Sequence, residues 1–147
     1  MSVFGLGEVL GAPIFGNIRD RIGNKVAIVY LTIITTMAVF CFLYLNHVNK
    51  WSNLAYLMTF MWGLQDGSIN TMIMCIFGYE FENEAIAFSC FNFIQSSSVF
   101  IILLIADAVS NPDFTVEQNQ FAILVFTISC SILYVISYGI LFCFKFN

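Results

Sequence analysis

The sequence predicts an all-α, polytopic transmembrane helical bundle, and three observations carry that expectation. Of the 147 residues, 60% are apolar and 10% are charged, against about 25% charged in a typical soluble domain. A chain this small has too few polar side chains to cover itself in water. The apolar positions also fall in blocks of roughly 20 or more, the length that crosses a hydrocarbon core about 30 Å thick. Finally, these blocks do not alternate polar with apolar residues, as the roughly 10-residue strands of a membrane β-barrel do. Helices are the remaining way to satisfy every backbone group in lipid.

The elements follow in order. Residues 2–15 are apolar but too few to span alone, and are expected as the latter part of a helix that begins earlier. Residues 16–25 gather Arg19, Asp20, Arg21 and Lys25 with two glycines, and are expected to be a link where the chain leaves the hydrocarbon. Full spans are expected over 26–45, 54–79, 85–108 and 121–144. Between them, residues 46–53 carry His47 and Lys50. Residues 80–84 are acidic and are read as a solvated cap for the next helix, and residues 109–120 hold Pro112, Asp113 and Glu117. No basic segment precedes the first apolar stretch, and Glu8 interrupts it, so a cleavable signal peptide is not expected.

Orientation follows from Lys and Arg, which resist translocation in short loops. Arg19, Arg21, Lys25 and Lys145 fall on one side and Lys50 on the other. The 16–25 link and the C-terminus are therefore expected in the cytoplasm, with Tyr44, Trp51 and Tyr56 forming an aromatic belt at the opposite interface.

Composition also narrows function. Five Lys or Arg residues with no basic run argue against nucleic acid as a partner. Cys41, Cys75, Cys90, Cys130 and Cys143 lie in apolar runs without C-x-x-C spacing and are expected as free, buried thiols. His47 stands alone, so neither a metal site nor a cofactor is expected. Gly63-Leu64-Gln65-Asp66 brushes against the G-x-G-D pattern of membrane aspartyl proteases, but Gln65 stands where the second glycine belongs. Glu8 and Asp107, the other candidate acids, sit in the wrong context for a paired general acid and base. An enzyme is not expected.

Two stretches carry a resemblance. Residues 16–25 are similar to G-x-x-x-D-R-x-G-x-K, the signature between the second and third helices of each half of a major facilitator transporter. The resemblance assigns its roles to Gly16, Asp20, Arg21, Gly23 and Lys25. Gly16 would allow a sharp helix exit, Gly23 would relieve crowding, and Asp20 would accept hydrogen bonds at a helix N-terminus. Arg21 would hold the carboxylate of Asp20, and Lys25 would meet lipid phosphate or a helix C-terminus. Arg19, at a position usually small, and Asn24, in place of the usual cation, depart from the pattern. The second stretch joins residues 62–71 (Trp62 to Thr71, with Gly63, Asp66, Asn70) to residues 87–96 (Ala87 to Ser96, with Phe88, Phe91, Phe93, Gln95). It resembles the Unc-ninety-three-like branch of the superfamily, over about residues 5 to 108. That branch holds potassium-channel regulatory subunits, a receptor chaperone and orphan transporter-like proteins. The resemblance implies a twelve-helix protein in two halves, of which this chain matches the end of helix eight and helices nine to twelve. Its implied partners are the lipid bilayer, the first half of the same protein and, in the branch, a channel or receptor subunit.

Asp66 lies near the middle of its expected span. A carboxylate there costs about 2.5–3.5 kcal/mol on insertion scales, and an intramembrane acid is a functional candidate by default. Asn70 shares its helical face, and Gln95 with Ser96, Ser97 and Ser98 lies at similar depth in the next span. Asp66, Asn70 and Gln95 are therefore expected to form one polar or proton-exchanging site if the two helices touch. The competing reading is that they only join helices. Gly7 and Gly11, like Gly63 and Gly67, are spaced four apart and mark faces for close helix packing. Glu8 is expected to snorkel or to approach Arg19 or Arg21. The function these features support is a secondary transporter of a small solute or ion working by alternating access. The alternative is a non-transporting regulatory subunit or chaperone of channels or receptors.

Overall fold

The structure, a computed structural model, describes residues 1–48, 52–109 and 115–143. Among them run five helices and no strand: α1 (Ser2–Ile22), α2 (Asn24–Val48), α3 (Asn53–Glu80), α4 (Glu84–Val109) and α5 (Val116–Cys143). Lys50, Trp51, Pro112, Asp113 and Lys145 lie outside the described residues. Helices α2, α4 (to Asp107) and α5 are long and apolar enough to cross a membrane. Helix α3, also expected as a full span, has the length at 28 residues, but Gln65, Asp66, Ser68 and Asn70 dilute its apolar character.

The helix starts follow local chemistry. Ser52 accepts from the Leu54 N–H at 3.3 Å and caps α3. Asn83 accepts from the Ile86 N–H at 3.3 Å ahead of α4, so an amide, rather than the glutamates around it, caps that helix. Thr115 and Gln118 exchange side-chain to backbone bonds of 2.9 and 3.3 Å, a capping box that opens α5.

The link expected over 16–25 is shorter than its charges imply. Helix α1 does not stop near Phe15 but continues to Ile22, and α2 resumes at Asn24. Gly16 sits inside the helix with open space around it, so it makes no exit. The reversal falls on Gly23, whose φ of 107° suits a residue without Cβ. Gly23 N–H closes α1 on the Arg19 carbonyl at 2.9 Å. A helical turn at the end of a span is solvated as well as a loop is, so the charge cluster had no need to unwind it.

Packing centres on α1, α2, α3 and α5. Phe15, Ala27, Ile28, Leu31, Met72 and Tyr138 form one buried cluster, and Ile34, Ala38 and Met61 a second. Arg19 lies 5.3 Å from the ring centroid of Tyr79, and Lys25 Nζ 5.4 Å from that of Phe142. These contacts bring the C-terminal ends of α1, α3 and α5 to one end of the bundle. At the other end, Asn46 and Gln120 exchange side-chain to backbone bonds of 3.4 Å each. Helices α1, α3 and α5 therefore run parallel, and α2 runs against them. Helix α4 stays at the margin. It meets α3 through an aromatic cluster of Phe77 with Phe88 and Phe91, at 5.1 and 5.7 Å between centroids, and is otherwise largely exposed.

Candidate functional site

Helix α3 organises the polar interior, and its faces can be read at 100° per residue. Phe60, Gly63, Leu64 and Gly67 meet α1. A Cβ built on Gly7 would collide with the Phe60 carbonyl, one on Gly11 with that of Leu64, one on Gly63 with that of Phe4, and one on Gly67 with that of Glu8. All four glycines are thus spent on bringing two backbones together, which leaves no room for a side chain. Ser68, fully buried, extends the same contact by sharing its one proton between the Leu64 carbonyl at 2.7 Å and the Gly11 carbonyl at 3.1 Å.

The next face of α3 carries Met61, Gln65 and Met72 into the core. Gln65 is 3% exposed. Its Nε2 donates to the Tyr138 hydroxyl of α5 at 3.3 Å. The Tyr138 and Thr35 hydroxyls are 2.9 Å apart, and Thr35 Oγ1 also donates to the Leu31 carbonyl at 2.9 Å. A hydroxyl has one proton. Since Thr35 gives its proton to Leu31, the proton between Thr35 and Tyr138 must come from Tyr138. The bonds therefore form a directed chain from Gln65 to Tyr138 to Thr35 to a backbone carbonyl, joining α3, α5 and α2. Gln65 Oε1 is left buried without a hydrogen-bond partner.

Asp66 and Asn70 lie on the remaining stripe of α3, both half-buried. Asn70 Nδ2 is 3.5 Å from Asp66 Oδ2, at the long limit of a hydrogen bond. Trp62, one turn before Asp66, packs on Tyr134 at 6.4 Å between centroids, and Tyr134 lies 6.2 Å from Tyr138. Gln95 does not join them. It is exposed on α4, and that helix meets α3 near Phe77, about three helical turns beyond Asp66, so the expected Asp66–Gln95 pocket is not formed here.

The remaining candidate residues are also placed. Asp20, Arg21 and Lys25 are exposed, and no Asp20–Arg21 ion pair occurs among the described residues; neighbours in a helix do not face each other. Arg19 Nε instead donates to Asn24 Oδ1 at 2.9 Å. Glu8 is exposed and cannot reach Arg19, which a continuous helix sets 11 residues away, about 16 Å along the axis. Cys90 and Cys143 are exposed and Cys41, Cys75 and Cys130 half-buried; all five are free. Thr35 and Tyr138 were not singled out by sequence, since each reads as an ordinary member of an apolar run; their one signal is a hydroxyl at mid-span or near a helix end.

Fold and composition define an all-α membrane protein with a polar seam inside an apolar bundle. Among known proteins, the chain is similar to the UNC93-like protein MFSD11 of Xenopus laevis, 29% identical over 116 residues that cover 66% of this chain and 26% of the relative. The chain thus spans about a quarter of that relative's length. No protein-family model matches it, and no solved structure does.

Proposed function

We propose that this chain is the C-terminal part of a major-facilitator-type membrane protein that moves a small solute or ion by alternating access, with Asp66 exchanging a proton during the cycle. The observation that carries the reading is the setting of Asp66. It stands at the middle of α3, half-buried and held by one long bond to Asn70, on the stripe that neither α1 nor the Gln65 face covers. Interhelical polar contacts average only about 0.6 kcal/mol, a small return for an acid whose insertion costs about 2.5–3.5 kcal/mol. A role in proton or ion movement accounts for it. The likeness to an UNC93-like protein supports the same class. In this reading the Arg19–Lys25 end faces the cytoplasm and docks on the first half of the protein.

The test is proton-coupled flux in proteoliposomes holding the protein together with its first-half helices. Asp66→Asn abolishes the flux and Asp66→Glu retains part of it. Flux that is unchanged in Asp66→Asn across the pH range removes Asp66 from the mechanism.

A second reading, a non-transporting subunit or chaperone of channels or receptors, draws on α4, which is apolar and exposed along most of its length. Stable co-purification with a channel or receptor, with no flux in any condition, decides for it.

A further inference from the structure

Among the described residues, the Asp66 carboxylate takes one long hydrogen bond, from Asn70, and pairs with no Lys or Arg. Arg19 and Lys25 are held against Tyr79 and Phe142 at one end of the bundle. Tyr79 lies 13 residues along α3 from Asp66, about 20 Å away. A half-buried carboxylate with no counter-ion in its own chain attracts a cation from outside. Its surroundings say which kind. Trp62, Asp66, Asn70, Ile73 and Phe77 follow one another at steps of three or four and share one face of α3. Helix α4 covers that face at Phe77, and Tyr134 of α5 flanks it at Trp62. Between these two points Asp66 and Asn70 are half-buried, and Tyr134 is close enough to Asp66 to interact with it electrostatically. The Trp62 and Tyr134 rings are 6.4 Å apart between centroids and tilted by 49°, an open V rather than a stack.

We propose that this face binds a small organic cation of the alkylammonium class, with Asp66 as its counter-ion and the rings of Trp62 and Tyr134 against its alkyl groups. Aromatic faces are electron-rich, and an ammonium within about 6 Å of a ring centroid is attracted to it, most strongly at tryptophan. With centroids 6.4 Å apart, one cation reaches both rings. Trp62 and Asp66 are four apart on the helix, with Cβ atoms about 5–6 Å from each other, so the same cation also meets the carboxylate. A hard metal ion is a poorer guest. Calcium takes about six to eight oxygen ligands, and among the described residues no three His, Cys, Asp or Glu side chains come together. Naming this cation as the transported solute rests on the transport reading above; its binding does not.

The test is tetramethylammonium titrated into the full chain in lipid nanodiscs, with sodium at matched ionic strength as the control. The chain has two tryptophans, so a Trp51→Phe background leaves Trp62 emission as the readout. Emission changes saturably with tetramethylammonium and not with sodium. Asp66→Asn, nearly the same shape, weakens binding about tenfold or more. Tyr134→Leu weakens it about fivefold and Tyr134→Phe less than about twofold, since the ring face and not the hydroxyl meets the cation. The proposal is overturned by the lack of a saturable change, by an equal response to sodium, or by Asp66→Asn binding as tightly as the unsubstituted residue. Tyr134→Phe losing as much as Tyr134→Leu overturns it too. Should Tyr134→Leu fail to fold, Asp66→Asn and Tyr134→Phe decide. Binding without proton-coupled flux in proteoliposomes supports the site and removes the transport reading, whereas flux without binding overturns the site alone.

Discussion

Arg19 Nε and Asn24 Oδ1 meet at 2.9 Å across the Gly23 reversal. These are the two residues by which the 16–25 stretch departs from the transporter signature it resembles, and the departures bond to each other. The guanidinium then lies over Tyr79 of α3, so one side chain ties the α1–α2 turn to a third helix. Asn24 accepts where the usual cation would repel.

A double-mutant cycle over Arg19→Ala and Asn24→Ala therefore returns a coupling of about 1 kcal/mol, the usual net worth of such a bond. Asn24→Lys, which restores the common cation, destabilises more than Asn24→Ala because it sets two positive charges side by side. Unfolding in mixed detergent micelles measures the four members of the cycle and Asn24→Lys. A coupling indistinguishable from zero would show that the pair is incidental.

The glycines divide into two kinds with opposite outcomes. Gly63→Ala and Gly67→Ala push a methyl group into the backbone of α1 at Phe4 and Glu8, and cost about 1–3 kcal/mol, as overpacking does. Gly16→Ala, in open space within a helix, stabilises by about 0.5–1 kcal/mol. The same unfolding assay reads both, and equal effects at Gly16 and Gly63 would refute the close contact of α1 with α3.

What the sequence made legible was set by which forces act locally. Apolar blocks long enough to span lipid gave α2, α4 and α5 within a few residues, because hydrocarbon thickness is a property of each segment alone. The charge cluster at 16–25 misled for a physical reason. Charge reports where a chain meets water, not whether it stays helical, and the backbone needs to break only at Gly23. Asp66 stood out because a carboxylate is costly wherever it is buried. Its neighbour Gln65 did not, since its partner Tyr138 lies 73 positions along the chain and nothing in the local pattern names it. The Asp66–Gln95 pairing failed on the same ground, since similar depth in adjacent helices does not say that their midpoints touch.

The directed chain predicts an order among its members. Tyr138→Phe leaves both ends of the buried Gln65 amide without a partner and costs about 1–3 kcal/mol, the usual penalty for stranding a buried polar group. Thr35→Val removes the acceptor of the Tyr138 proton and the side-chain bond to the Leu31 carbonyl, leaves the Gln65–Tyr138 bond in place, and costs less. Gln65→Leu is mildest, since Tyr138 still donates to Thr35 and the orphaned oxygen goes with the amide. Thermal unfolding of the three variants in one detergent gives the ranking. Finding Gln65→Leu the most damaging would mean that the amide, and not the tyrosine, anchors the seam.

Two ends of the bundle are defined by contacts that do not depend on any membrane: Arg19 with Tyr79 and Lys25 with Phe142 at one, Asn46 with Gln120 at the other. Exposed residues from opposite ends must therefore face opposite sides of a bilayer. If the orientation proposed above holds, with Arg19, Arg21 and Lys25 on the cytoplasmic side, a cysteine at Arg21→Cys in intact cells stays unmodified by a membrane-impermeant maleimide until the cytoplasm is opened. A cysteine at Glu117→Cys, in the first turn of α5, reacts from the other side. Both cysteines reacting from one side would break the parallel arrangement of α1 and α5. Both switching sides would leave the bundle intact and reverse only its orientation, so the two labels separate an error in the fold from an error in how lipid charge rules apply to it.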